Sequence, residues 1–309
     1  MTCPLVQLTA AQTRPAPGID EPPPASPPQV ALTFDDLPVH GTLPEGMTRV
    51  EIAKSIISAL QAAHAPSVYG FVNAKGLQIE PASDEVLRVW RAAGFSLANH
   101  TFSHMDLNTN SAENFEQDIL ANEPTLLAWM TNEDWRWLRY PFLREGDTAE
   151  KHRAVLAFLK EHGYKVAQVT ISFGDYAYNA PYARCVANKD QQAIEQLKKQ
   201  YLRGAAESLD HSSALAKALF GHDIKHVMLL HIGSFETVML PHLLDLLNDR
   251  GYKLITLPEA QSDPAYALRP DLRGHWEGSF LDQLVKERSL SVPPDLANAR
   301  LVDLDAVCR

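Results

Sequence analysis

From residue 30 to residue 256 short apolar runs alternate with longer amphipathic stretches, and that rhythm admits few folds. The apolar runs, read as strands, cover 30–34, 67–72, 95–98, 137–140, 166–171, 226–230 and 253–256. Between them, helical spacing of apolar residues predicts helices over 49–63, 84–93, 112–130, 150–162 and 238–250. Three of these stop at glycine, in "RAAGF" at Gly94, "KEHGY" at Gly163 and "NDRGY" at Gly251, where a left-handed residue ends a helix at little cost. Strand–helix alternation predicts a parallel α/β sheet, and seven strands suggest a closed or nearly closed barrel. An open doubly wound sheet is the other solution, but no glycine-rich dinucleotide fingerprint follows the first strand.

The rhythm breaks between residues 180 and 221, where "QQAIEQLKKQYL" and "SSALAKALFG" both carry helical spacing. This reads as a helical insertion packed on the barrel, by default a cover, with a substrate wall or lid as the second reading. Residues 265–309 read as a C-terminal extension packed on the same domain, which itself spans 30–264. Residues 1–29 form a disordered or extended arm: "RPAPGIDEPPPASPPQ" carries too much proline for helix or central strand. Its first dozen residues are either a signal remnant lacking a basic start or an unstructured tail. No apolar run approaches the roughly 20 residues that span a bilayer.

The three cysteines, Cys3, Cys185 and Cys308, include no CxxC pair, which excludes a sulfur-rich zinc site. A Cys185–Cys308 disulfide tying down the tail is expected if the chain is exported; otherwise these are two unrelated thiols. A formal charge of −10 argues against nucleic-acid binding, which wants a basic face.

Chemistry gathers at the ends of the strands. "VALTFDDLPVHG" runs an apolar strand into adjacent carboxylates, Asp35 and Asp36, whose like charges are costly unless a cation or proton is shared. "NHTFSH" supplies His100 and His104 at i, i+4, a spacing that zinc sites use. In a parallel barrel the C-terminal strand ends share one rim, so the two motifs converge. Two histidines and one aspartate leave a coordination position open, which marks a catalytic rather than a structural zinc. Successive side chains of an extended segment point opposite ways, so one aspartate is read as ligand and the other as facing the reacting water. Further strands end in "LRYPF" with Arg139, "SFGDY" with Asp175 and Tyr176, and "VMLLHIG" with His231. His40 reads first as a loop histidine, with a substrate contact as the second reading.

The ordered set TFDD (33–36), HTFSH (100–104), RYPF (139–142), SFGDY (172–176) and LLH (229–231) resembles the five motifs of the polysaccharide deacetylase family, carbohydrate esterase family 4 with its NodB homology domain. The resemblance implies a distorted (β/α)7 barrel similar to a TIM barrel, with the helical insertion between the strands carrying the fourth and fifth motifs. It also implies a metal-dependent hydrolase removing acetyl groups from a carbohydrate polymer outside the cytoplasm, in the periplasm or secreted. Asp36, His100 and His104 would hold the metal, Zn2+ or another divalent ion such as Co2+. Asp35 would be the base, oriented by Arg139; the backbone N–H of Tyr140 would bind the oxyanion. His231 would be the acid, with Asp175 tuning it or bonding Arg139. Pro141, Phe142, Tyr176 and Leu229 would line the substrate site. The family's TFDDGP reads here with Leu37 in place of glycine, and Ser172 and Tyr176 replace the usual Asp and Trp of the fourth motif. The same residues would serve N-acetyl groups of chitin-type oligomers or peptidoglycan, O-acetyl groups of xylan, or a small amide. A catalytically dead carbohydrate-binding module is the alternative outside enzymes.

Overall fold

The structure, a computed structural model, describes residues 27–272, 274–292 and 301–309. The first half of the chain runs β1 (Gln29–Leu37), α1 (Arg49–Ala62), β2 (Tyr69–Val72), α2 (Lys75–Ile79), α3 (Asp84–Ala92), β3 (Ser96–Asn99) and α4 (Ala112–Trp129). It continues through β4 (Trp137–Leu138), β5 (Arg144–Gly146), α5 (Ala149–Glu161), β6 (Lys165–Val166), α6 (Asn179–Ala187) and α7 (Gln191–Phe220). Then come β7 (Lys225–His231), α8 (Glu236–Asp249), β8 (Lys253–Leu254), α9 (Leu257–Gln261), β9 (Trp276–Glu277) and α10 (Phe280–Glu287).

One parallel sheet in the order β6-β4-β3-β2-β1-β7 organises the molecule. It curls toward closure, and a single parallel bridge from Ile171 to Met228 links its two ends. β8 does not continue the circle past β7; it pairs with Gln29 and Val30 of β1. The α/β fold is thus the expected distorted barrel. Val30, Leu32 and Phe34 on one face of β1 and Ala31 and Thr33 on the other are all buried, as a parallel strand packed on both faces requires. Helix α1 opens on a reciprocal Thr48–Glu51 capping box and buries Ile52, Ile56 and Leu60 at fourfold spacing against the sheet.

Three local expectations are corrected. The strand expected over 166–171 pairs as a strand only at Lys165–Val166. Beyond it the carbonyls of Thr170 and Ser172 accept from the Ser212 and Ser208 hydroxyls of α7, so side chains replace part of a ladder. The two helical pieces of the insertion are one helix, α7, with Gly204 inside it, where an added Cβ would stand at ordinary contact distance, 3.7 Å, from Phe173. The first strand begins at Gln29 and runs on through both aspartates to Leu37. The proline-rich arm otherwise lies outside the described residues up to residue 26.

The described parts of the C-terminal segment lie on this core. β9 pairs with β5, α10 packs against α7, and a disulfide joins Cys308 to Cys185 of α6 across 123 residues. No helix among the described residues is long and apolar enough to cross a membrane.

Candidate active site

The C-terminal ends of β1, β3, β4 and β7 surround a cavity of about 430 Å³. Asp35, Asp36, His100, His104, Tyr140, Phe142, Tyr176, Leu229 and His231 all line it, so the rim motifs do converge.

The two aspartates separate by backbone geometry, not by plain alternation along a strand. β1 is irregular against β2 between Phe34 and Leu37, and Asp36 lies in the left-handed region at φ 66°. Thr101, His104, Phe142 and Leu143 share positive φ, so unfavourable backbone conformations concentrate on this rim. Asp35, only 2% exposed, receives Arg139 Nη1 at 3.2 Å on Oδ1. Arg139 is itself buried, bonds the Ala167 carbonyl and Thr33 hydroxyl, and lies 4.5 Å over the Phe71 ring. These contacts hold the guanidinium in one orientation, and through it the carboxylate. Burial pushes Asp35 up to about 6, Arg139 opposing it, which suits a proton acceptor near neutral pH.

Asp36 turns the other way. Its Oδ2 accepts from His40 Nδ1 at 2.7 Å, while Oδ1 is buried with no hydrogen-bond partner. His100 Nε2 stands 3.5 Å and His104 Nε2 3.4 Å from that orphaned oxygen, and one ligand atom from each of the three residues lies within 4.8 Å of the others. His100 donates Nδ1–H to the Arg139 carbonyl at 2.8 Å, which leaves the lone pair on Nε2. Burial pushes both imidazoles down to about 4, so they are neutral lone-pair donors at pH 7. Burial alone would raise Asp36, but the His40 hydrogen bond and surrounding imidazoles hold its carboxyl below the usual range. One carboxylate and two neutral imidazoles around an orphaned oxygen fit a divalent cation.

The loop that carries the histidines is shaped from outside. Asn73 Nδ2 donates to the carbonyls of His100 and Thr101, and Asp118 of α4 accepts from Ser103 N–H. On the opposite wall His231 pairs in register with Asp35 across β7 and β1. Asp175 accepts from His231 N–H at 2.6 Å and from Nδ1 at 2.9 Å. Of its two expected partners Asp175 thus contacts His231, and no hydrogen bond to Arg139 is present among the described residues. Burial would lower His231, but the Asp175 carboxylate raises it to about 9.

Phe142 and Tyr176, 55% and 51% exposed, stand edge-on to His104 and His231 at the mouth. Buried Leu229 forms part of the wall. Pro141 is the exception: it is buried and takes no part in the lining, its fixed φ serving to start the turn that exposes Phe142. Sequence reasoning set His40 aside as a loop histidine, yet its ring lines the cavity and holds Asp36. Its fourfold spacing from Asp36 was the available signal.

Residues 23–167 match the family model of the polysaccharide deacetylases. That segment is a little under half of the chain, and it is similar to the polysaccharide deacetylase family over that length. A comparison with curated proteins finds no match. Among solved structures it is similar to the chitin deacetylase of the fungal pathogen Colletotrichum lindemuthianum, with TM-score 0.51, 18% identity, and coverage of 82% of this chain and 94% of that one. It is also similar to the Bacillus anthracis CE4 family pseudoenzyme, with TM-score 0.51, 15% identity, and coverage of 76% and 66%. A mutant of that pseudoenzyme with restored enzymatic activity gives TM-score 0.52, 17% identity, and coverage of 76% and 68%. At these identities the likeness is one of fold.

Proposed function

We propose that the chain is a metal-dependent hydrolase that removes acetyl groups from an N-acetylated polysaccharide, of chitin type or peptidoglycan. The observation that carries this reading is the division of labour between adjacent carboxylates: Asp35 fixed on Arg139, Asp36 presenting an orphaned oxygen to two neutral imidazoles. Asp36, His100 and His104 would hold Zn2+, or Co2+ in its place. Bound there, a divalent metal lowers the pKa of water from about 15.7 to about 7 and polarises an acyl oxygen.

The protein's own groups supply the rest. Asp35 accepts the proton of the attacking water, and Arg139 keeps its carboxylate in place. The Tyr140 N–H donates to the oxygen that gains charge, an interaction strongest in the transition state. His231, protonated and held by Asp175, donates from its other nitrogen to the leaving amine as the C–N bond breaks, yielding acetate and a free amine. Phe142 and Tyr176 offer two ring surfaces for sugar at the mouth, and Leu229 an apolar wall for the acetyl methyl. Export to the periplasm or beyond belongs to the same reading, since the Cys185–Cys308 bond persists in an oxidising compartment.

The test is acetate release from N-acetylglucosamine oligomers by protein stripped with chelator and then reloaded with zinc. Zinc-restored release is expected. Release from acetylxylan alone would assign the ester reaction instead, and bound metal with no release from either would leave a binding module.

A further inference from the structure

The catalytic cavity has a neighbour. Leu143 and Ser172 line it and also line a second, smaller crevice of about 90 Å³, so the two spaces adjoin across those residues. The far wall of the crevice comes from α7, with Ser208, His211 and Ser212, and from the start of α10, with Ser279 and Asp282. Both helices lie beyond residue 167, where the match to the family model ends.

The hydroxyls of this wall have their hydrogens turned away from the crevice. Ser208 and Ser212 donate to the carbonyls of Ser172 and Thr170, and Ser279 donates to Asp282 Oδ2 at 2.6 Å. A hydroxyl whose hydrogen is committed still has lone pairs to offer. Asp282 adds a charge. Burial would raise its carboxyl, but hydrogen bonds from His211 and Ser279 hold it below the usual carboxylate range. His211 Nε2 stands 3.7 Å from Oδ1 of that carboxylate, whose side chain is nonetheless 47% exposed.

The crevice thus presents acceptors and negative charge, and it is small, suited to a substituent of a sugar rather than to its ring. The complementary group is a compact cation that only donates. A primary ammonium is one, with three N–H donors and no acceptor. Deacetylation makes that group: each turnover leaves a free amine on one sugar, beside the next acetylated sugar of the chain.

We propose that Asp282, with the hydroxyl oxygens of Ser208, Ser212 and Ser279, holds the ammonium of an already deacetylated sugar next to the one in the catalytic cavity. The protein would then prefer partly deacetylated chains to fully acetylated ones. This rests on the deacetylase reading above and narrows its substrate class. Because the crevice adjoins the cavity on one side, the position of the free amine along the chain matters.

The test measures kcat/KM for acetate release by zinc-loaded protein in slightly acidic buffer, where the sugar amine is protonated. The substrates are the fully acetylated N-acetylglucosamine tetramer and its isomers carrying one free amine. At least one isomer is expected to exceed the fully acetylated tetramer by about three- to fivefold, the effect of one partly exposed ion pair. That excess should shrink as salt is added. Asp282→Asn removes the charge and keeps an oxygen acceptor for the Ser279 cap, and in it the ratio should fall to about one. An excess that survives Asp282→Asn or added salt would overturn the proposal, as would equal losses on all substrates in that variant. Acetate release with no preference for any amine-bearing isomer would overturn it too, while leaving the deacetylase reading in place. Release from none of the tetramers by the unaltered protein would overturn that reading itself, and this inference with it.

Discussion

Asp35 and Asp36 are neighbours in sequence whose environments push their ionisation apart, up to about 6 for Asp35 and below the usual carboxylate range for Asp36. Their substitutions should therefore fail differently. Asp35→Asn removes a proton acceptor and leaves the ligand set, so kcat should fall by about 10²–10⁴-fold with zinc per chain unchanged. Asp36→Ala removes the ligand, and zinc content should fall with activity; equal zinc loss in both would contradict the division of labour. His231 offers a second residue-scale prediction. Its pKa stands raised, so the protonated acid is present below about 9 and is lost as pH rises through that value. Asp175→Asn deletes the carboxylate that raises it. The alkaline limb of the kcat profile should then move to lower pH, whereas an unmoved limb would remove His231 from the proton donor's role. These residues were legible because each ends a strand in a short motif. His40 was not, because its fourfold spacing from Asp36 does not by itself show that the two side chains meet.

At the scale of elements, what the sequence hides is what side chains do across long separations. The run 166–171 has strand periodicity, but the hydroxyls of Ser208 and Ser212, from a helix some forty residues on, take its carbonyls. The insertion shows its helical spacing in two pieces because Gly204, a poor helix former, lies between them, yet α7 runs unbroken from Gln191 to Phe220. Leu37, which stands where the family motif has glycine, shows the same principle. Its side chain is buried over Gly70 of β2, where an added Cβ would come within 2.6 Å of Leu37 Cδ2 and 3.1 Å of Trp90 Nε1. Gly70→Ala should accordingly destabilise by about 1–3 kcal/mol, the usual cost of overpacking a core. Leu37→Ala in the same chain should return part of that loss, although it costs stability alone. A double-mutant cycle by denaturant unfolding measures the coupling; additive effects would show that the two side chains do not compete for the space.

For the molecule as a whole, the parallel sheet and its converging strand ends followed from alternation alone, since only a shared rim brings residues 35, 100, 140 and 231 to one cavity. The strand count pointed to a nearly closed barrel, but how it closes did not follow, because the one bridge at Ile171 and the displaced pairing of β8 depend on packing by later segments. Those later segments are themselves tied down. Arg184 of α6 donates to the carbonyls of Leu304 and Val307, and the Cys185–Cys308 bond closes a loop with a sequence separation of 123. Between its ends lie α7, β7 and α8, hence His231 and the wall opposite the metal ligands. Opening that loop mainly enlarges the unfolded ensemble, a loss of about 2–4 kcal/mol for a typical disulfide. Cys185→Ser with Cys308→Ser should lower the denaturation midpoint accordingly. Asp36, His100 and His104 lie on β1 and the loop after β3, outside the cross-linked span, so zinc per chain should persist in the folded variant. Loss of zinc at denaturant concentrations where the fold is intact would instead mean that the tail's anchorage reaches the metal ligands through the native state.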